Sequence, residues 1–244
     1  MGTRKGCSLR GIHKGMSLQT TNMLFAGLGF YIVYLLVALL VSISVHEASH
    51  ALVAYLLGDP TAKEQGRLSL KPWAHLSPWG TLSLLLVGLG WGKPVPVDPR
   101  RMRCKPQKGM ALVGISGPLS NLLLASVLAL PMRFHWVPFI PQRILGVPIS
   151  YGEMLSWVVW INLALAVFNL IPLMPLDGSR IWGWLLPQQW FLFLARYERI
   201  GLLLVLLLIM AERFTQLGLL TRVLFPPIHF LWWQLVGMTP PFPW

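Results

Sequence analysis

Two imidazoles and a carboxylate stand together in Val45-His46-Glu47-Ala48-Ser49-His50, inside an apolar stretch that runs from Leu24 to Leu57. Within that stretch His46, Glu47 and His50 are the only strongly ionisable side chains. On a helix, positions 46 and 50 lie one turn apart on the same face, so both imidazoles can reach one metal ion. Glu47, turned by about a quarter of a circle, can act as a base toward a water at that ion. Ionisable groups at membrane depth are costly and are kept for function. The chemistry these residues suit is metal-assisted hydrolysis inside a membrane.

Two histidines do not complete a catalytic zinc site, which normally has three protein ligands and an open position. The chain has eight carboxylates in all. Glu47 is taken by the chemistry, and Asp59, Glu64 and Asp98 fall in a polar interruption. Glu198 and Glu212 sit beside Arg199 and Arg213, and Glu153 opens a helix, where a negative charge suits the dipole. Asp177 remains, between apolar segments, and is the expected third ligand of one Zn2+ per chain. Charge supports this choice, since a dication held by two neutral rings keeps its full charge in a low-dielectric site.

The elements that must position these groups follow from composition. The chain has 244 residues, 55% hydrophobic and 11% charged, with a mean hydropathy of +0.62. A soluble domain normally carries about 25% charged residues. The expected fold is an all-α integral membrane protein, a multi-pass helical bundle of about five to six segments with a small membrane-associated β element and a re-entrant segment. Residues 1–22 read as a basic N-terminal tail that is not a cleaved signal peptide, and 23–244 as a single membrane-embedded domain with its core near 40–185. Cys7 and Cys104 lack the spacing of a disulfide framework or a zinc site.

The first helix is expected over Phe25–Leu57, stopped by Gly58-Asp59-Pro60. Within 58–108, Arg67–Lys71 and Lys93–Val97 read as short strands, Leu82–Trp91 as the re-entrant segment, and His75 as an interfacial residue. A second helix is expected over Ala111–Leu130, with Gly117-Pro118 near its start and Asn121 as a packing or capping residue, and a third over Met154–Leu170. Later apolar runs cover Phe191–Leu194, Ile200–Met210 and Leu217–Val236.

The net charge of +12 lies between apolar runs, which fits lipid headgroups and excludes nucleic acid as a partner. Nine of the twenty basic residues fall in 58–108, which places that region, and the active site beside it, on the cytoplasmic side. Four basic residues among the first fourteen would then lie outside, against the same rule.

His46-Glu47-x-x-His50 paired with Asn169-x-x-Pro172-x-x-x-x-Asp177-Gly178 resembles the site-2 protease family of intramembrane zinc metalloproteases, in its compact form without a PDZ domain. The resemblance implies His46, His50 and Asp177 as zinc ligands and Glu47 as catalytic base. It gives Asn169 a place in the site, polarising the scissile carbonyl or binding the substrate backbone. It implies transmembrane protein substrates in the lipid bilayer, in a bacterial inner membrane. Substrate identity, oligomeric state and gating are not written in the sequence. A metal-binding transporter or a catalytically silent helix-binding scaffold would use the same ligands, but neither requires Glu47.

Overall fold

The apolar run that carries the histidines folds as one long helix, α1 (Leu9–Leu56). The computed structural model describes residues 9–77, 80, 92–139, 142–144, 147–187, 189, 198–215 and 218–240. Residues 9–22 belong to α1 rather than to a tail. Basic side chains do not stop a helix, and this stretch contains no proline to do so. The expected re-entrant segment at Leu82–Trp91 and the run at Phe191–Leu194 lie outside the described residues.

At its carboxyl end α1 closes in a Schellman turn. Asp59 N–H donates to the Ala54 carbonyl and Gly58 N–H to that of Tyr55, each at 3.0 Å, with Gly58 at φ 103°. Only glycine takes that left-handed conformation freely. Asp59 then ties this end to later chain. Its buried carboxylate accepts from Thr61 N–H (3.0 Å), Thr61 Oγ1 (2.5 Å) and Asp98 N–H (2.7 Å).

Two short helices follow, α2 (Thr61–Glu64) and α3 (Pro72–His75). The strand expected at Arg67–Lys71 is replaced by a bend and turn. The Arg67 side chain is buried and donates to the carbonyls of Ala74 and Lys93, so the alternating pattern has no partner strand to face. Lys93–Val97 forms no ladder among the described residues; beside it stands one isolated bridge, Leu76 with Gly92. The strands that do form are β1 (Gln142–Ile144) and β2 (Val147–Ile149), an antiparallel pair with Ile144 opposite Val147.

Helix α4 (Pro106–Arg133) starts with proline in its first turn, where a missing N–H costs nothing. It begins five residues before the expected Ala111, and Gly117-Pro118 lies in its interior. An interior proline removes one backbone bond, and membrane helices absorb that loss through neighbouring groups. Helix α5 (Tyr151–Asn169) opens on Ser150, whose hydroxyl accepts from Glu153 N–H. The chain ends in α6 (Asp177–Gly183), α7 (Glu198–Thr215) and α8 (Leu219–Val236), the last with Pro226 and Pro227 inside it.

Among the described residues, three helical stretches are long and apolar enough to cross a bilayer: Ile32–Leu56, Pro106–Arg133 and Tyr151–Asn169. The protein is therefore an all-α membrane protein. Its spans meet through small side chains, with Ala38, Ser42, Ala51 and Ala54 of α1 all buried. Close backbone approach of this kind is what holds helices together where lipid is as apolar as leucine. Ala125, Ala129 and Met132 of α4 pack with Val159, Trp160 and Leu163 of α5, and α8 covers them with Ile228, Trp232 and Val236. Tyr34 of α1 accepts from Ser150 N–H at 2.9 Å, fixing the entry to α5.

Replacing Asp59 with alanine strands three donors at the α1 end. The Asp59→Ala variant should lose about 2–3 kcal/mol of stability, read as a lower unfolding midpoint in detergent, and Asp59→Asn should lose less.

Candidate metal centre

Helical spacing turns His46 and His50 of α1 toward the first residue of α6. Their Nε2 atoms stand 3.0 and 3.2 Å from the same carboxylate oxygen, Oδ2 of Asp177. One ligand atom from each of the three residues lies within 4.8 Å of the others, and all three side chains are buried. The two rings meet edge to face, with centroids 4.6 Å apart. The expected ligand set is thus assembled from helices 131 residues apart in the chain.

The other ring nitrogens are already committed. His50 Nδ1 lies 2.7 Å from the backbone carbonyl of Val113, which can only accept, so Nδ1 carries the proton. His46 Nδ1 lies 2.5 Å from Asn121 Oδ1, and the Asn121 amide nitrogen donates elsewhere, to Asn162 Oδ1 and the Ser42 carbonyl. His46 Nδ1 must therefore donate as well. With the proton on Nδ1, the neutral form of each ring turns its Nε2 lone pair to the carboxylate oxygen, and a proton on Nε2 or a metal cation among the three atoms makes the contact favourable. Nitrogen and carboxylate donors in a three-ligand set fit zinc, and hydrogen bonds from the outer ring nitrogens are the usual support of zinc-bound histidine.

Glycines let the helices come this close. A Cβ on Gly117 would lie 2.5 Å from His50 Cε1 and 2.6 Å from His46 Nε2, so α4 passes directly under both rings. A Cβ on Gly114 would sit 3.1 Å from the Asp177 carbonyl oxygen, and one on Gly178 would overlap the carbonyls of Leu170 and Ile171. Larger residues would push α4 away from α1 at 117, α4 away from α6 at 114, and α6 away from the Leu170–Ile171 backbone at 178.

Glu47 is half-buried on the neighbouring face of α1, beside the loop edge; its Oε1 is 4.0 Å from where a Cβ of Gly92 would be. It borders the cluster without belonging to it. Asn169 is not joined to the cluster: its Nδ2 donates to the Leu165 carbonyl of its own helix at 3.0 Å. His75, expected at an interface, is fully buried, with Nε2 donating to the Ser69 carbonyl at 2.7 Å and no partner at Nδ1 among the described residues. Folding the α3 loop back on itself, rather than toward lipid, is what buries it. Sequence reasoning gave Asn121 no part in the site and did not single out Asn162. The available signal was an amide in each of two otherwise apolar helices, which a lipid-facing position would not tolerate.

Comparison with known proteins gives the family. The model of peptidase family M50 matches residues 145–211. A Bacillus subtilis protein provisionally named zinc metalloprotease YwhC is 40% identical over 199 residues, covering 80% of this chain and 86% of that protein. The chain belongs to peptidase family M50. The M50 chain is also 28% identical over 142 residues to Rip2 of Mycolicibacterium smegmatis, another provisionally named zinc metalloprotease, covering 57% of this chain and 52% of that one. A zinc metalloprotease of Methanocaldococcus jannaschii is 28% identical over 167 residues, 68% of this chain and 36% of its own length. No solved structure gives a match. M50 is the site-2 protease family, so this chain is an intramembrane zinc metallopeptidase.

A methyl group at position 117 enters the space of both imidazoles. Gly117→Ala is expected to keep the M50 fold, because alanine suits a helix, yet to bind zinc about 10–100-fold more weakly, measured by competition with a chromogenic chelator.

Proposed function

We propose that this peptidase hydrolyses peptide bonds in or near the transmembrane segments of membrane-protein substrates, with His46, His50 and Asp177 as the ligands of one Zn2+ and Glu47 as catalytic base. The observation that carries the reading is the convergence of two bare Nε2 atoms on Asp177 Oδ2, with Glu47 on the adjacent face of the same helix. When bound, zinc supplies a Lewis acid and lowers the pKa of a coordinated water to about 7.

The chain's own residues do the rest. Glu47 accepts the proton as the nucleophile attacks the scissile carbonyl, and returns it to the departing amine. Buried His46 and His50, each held through Nδ1, keep their Nε2 atoms aimed at one point without reorganisation during the reaction. Asn169 stands at the end of α5, eight residues before Asp177, where a rotated amide would meet the substrate backbone or its carbonyl. A helical substrate hides its amides in its own hydrogen bonds and must unwind before attack. Lys93–Val97, which belongs to no ladder among the described residues, is suited to hold the unwound segment by strand addition.

The wider architecture of this reading has about five to six segments in a single embedded domain with its core at 40–185. The basic stretch 58–108 faces the cytoplasm, across a bacterial inner membrane, and the active site opens toward that side.

Two measurements check this. Glu47→Gln should retain zinc and cleave a single-span test substrate in detergent about 10²–10⁴-fold more slowly, whereas Asp177→Asn should lose zinc and cleavage together; cleavage that survives Glu47→Gln sinks the proposal. With Cys7 and Cys104 replaced, a cysteine at the exposed position of Arg100 should react with a membrane-impermeant maleimide only after cells are permeabilised, and labelling of intact cells would reverse the orientation.

A further inference from the structure

A chain of three buried polar side chains crosses the apolar interior from α5 to the metal centre. Ser42, Asn121 and Asn162 are each fully buried, at 0% exposure, and they belong to α1, α4 and α5 in turn. Asn162 Nδ2 donates to the Val158 carbonyl and to Ser42 Oγ, both at 2.7 Å. Asn162 Oδ1 accepts from Asn121 Nδ2 at 2.6 Å, and the same Nδ2 donates to the Ser42 carbonyl at 3.2 Å. Asn121 Oδ1 then meets His46 Nδ1 at 2.5 Å.

An amide can be turned end for end at little geometric cost, exchanging its donor and acceptor. The backbone carbonyls at either end of this chain cannot. The Val158 carbonyl accepts only, so the NH2 end of Asn162 must face it and Oδ1 must face Asn121. Asn121 is then obliged to offer its NH2 to Asn162, which turns its own oxygen to His46. The direction of the bonds is thereby set by two fixed backbone acceptors: the Val158 carbonyl, acting through Asn162 and the shorter 2.6 Å bond to Asn121, and the Ser42 carbonyl, which holds the Asn121 amide directly at the longer 3.2 Å.

We infer that Asn162 is a positioning residue: through Asn121 it keeps the proton of His46 on Nδ1 and leaves Nε2 free to bind the metal. If the Asn121 amide turned over, its NH2 would face Nδ1, and the ring proton would move to Nε2. His46 would then direct an N–H at Asp177 and could not ligate. Asn162 reaches neither substrate nor metal, so its effect is read in the ring of another residue. The inference rests on the proposed ligand role of His46.

The test uses the full chain in detergent micelles with nitrogen-15 in its histidines, the His46 signals being assigned by replacing that residue. Zinc-free wild type is expected to show His46 protonated at Nδ1. Asn162→Leu, similar in size but without the acceptor, should show a mixture of the two tautomers and bind zinc about tenfold more weakly. Asn162→Asp keeps an acceptor toward Asn121 and should retain the Nδ1–H form even though a buried carboxylate lowers its unfolding midpoint. A residue that merely packs would give the opposite pattern, with the His46 tautomer unchanged in Asn162→Leu, and that result overturns the inference. So does a wild-type His46 ring protonated at Nε2 and bare at Nδ1, which needs no variant to fold. Failure of the wild type to take up zinc would instead remove the ligand reading itself, and is seen separately in the chelator competition.

Discussion

Three buried side chains that call for a shared positive charge lie together at the centre of this protein. Two imidazole nitrogens approach one carboxylate oxygen at 3.0 and 3.2 Å. Water would serve such a contact on a protein surface, but these side chains are buried among membrane helices. Protons on the nitrogens or a metal cation among the three would satisfy it, with Asp177 balancing part of the charge. The same constraint accounts for the neighbouring structure, since each outer nitrogen must be held by an acceptor for the inner one to stay bare. Val113 provides one such acceptor and Asn121 the other.

Bringing these groups together in lipid demands backbone proximity, because apolar side chains gain little by leaving lipid for each other. That demand is met by residues with almost no side chain. Gly114 and Gly117 occupy successive turns on one face of α4, one beneath the α6 start and the other beneath the rings. Alanines and serines line α1 along the face it buries. Once the helices are this close, amides can reach across, and Asn121 with Asn162 joins three helices through hydrogen bonds that lipid could not replace. Specificity of packing and polarity of the site are two outcomes of the same small-residue surface.

The cluster of His46, His50 and Asp177 was legible in the sequence because such chemistry is improbable where these residues stand. His46 and His50 share a helix spacing, and Asp177 was reached by removing carboxylates that had another explanation. Asn121 was read as packing because its role depends on which nitrogen of a distant ring it faces, and no spacing in the sequence encodes that. Gly117-Pro118 looked like a helix start from local propensity. In α4 it lies mid-helix, where the glycine admits two imidazoles and the proline's lost bond is tolerated. Arg67–Lys71 failed as a strand for a related reason: alternation predicts a face, but Arg67 spends its guanidinium on the carbonyls of Ala74 and Lys93 instead. In each case the local signal was real and a tertiary partner overrode it.

The ligand set also has consequences for how the fold holds together. His46 and His50 come from one continuous helix, so their mutual placement needs only that α1 be helical. Asp177 comes from α6, a seven-residue helix reached through an irregular stretch after α5. Too short to be stable alone, α6 depends on its seat against Gly114 and on the carbonyls of Leu170 and Ile171 that enclose Gly178. Any ion held by all three side chains is a tie between α1 and α6, and its binding energy adds to the stability of that seat. The order of dependence therefore runs both ways: the small residues of α4 let the ligands converge, and the ion they attract secures the element that supplied the last of them.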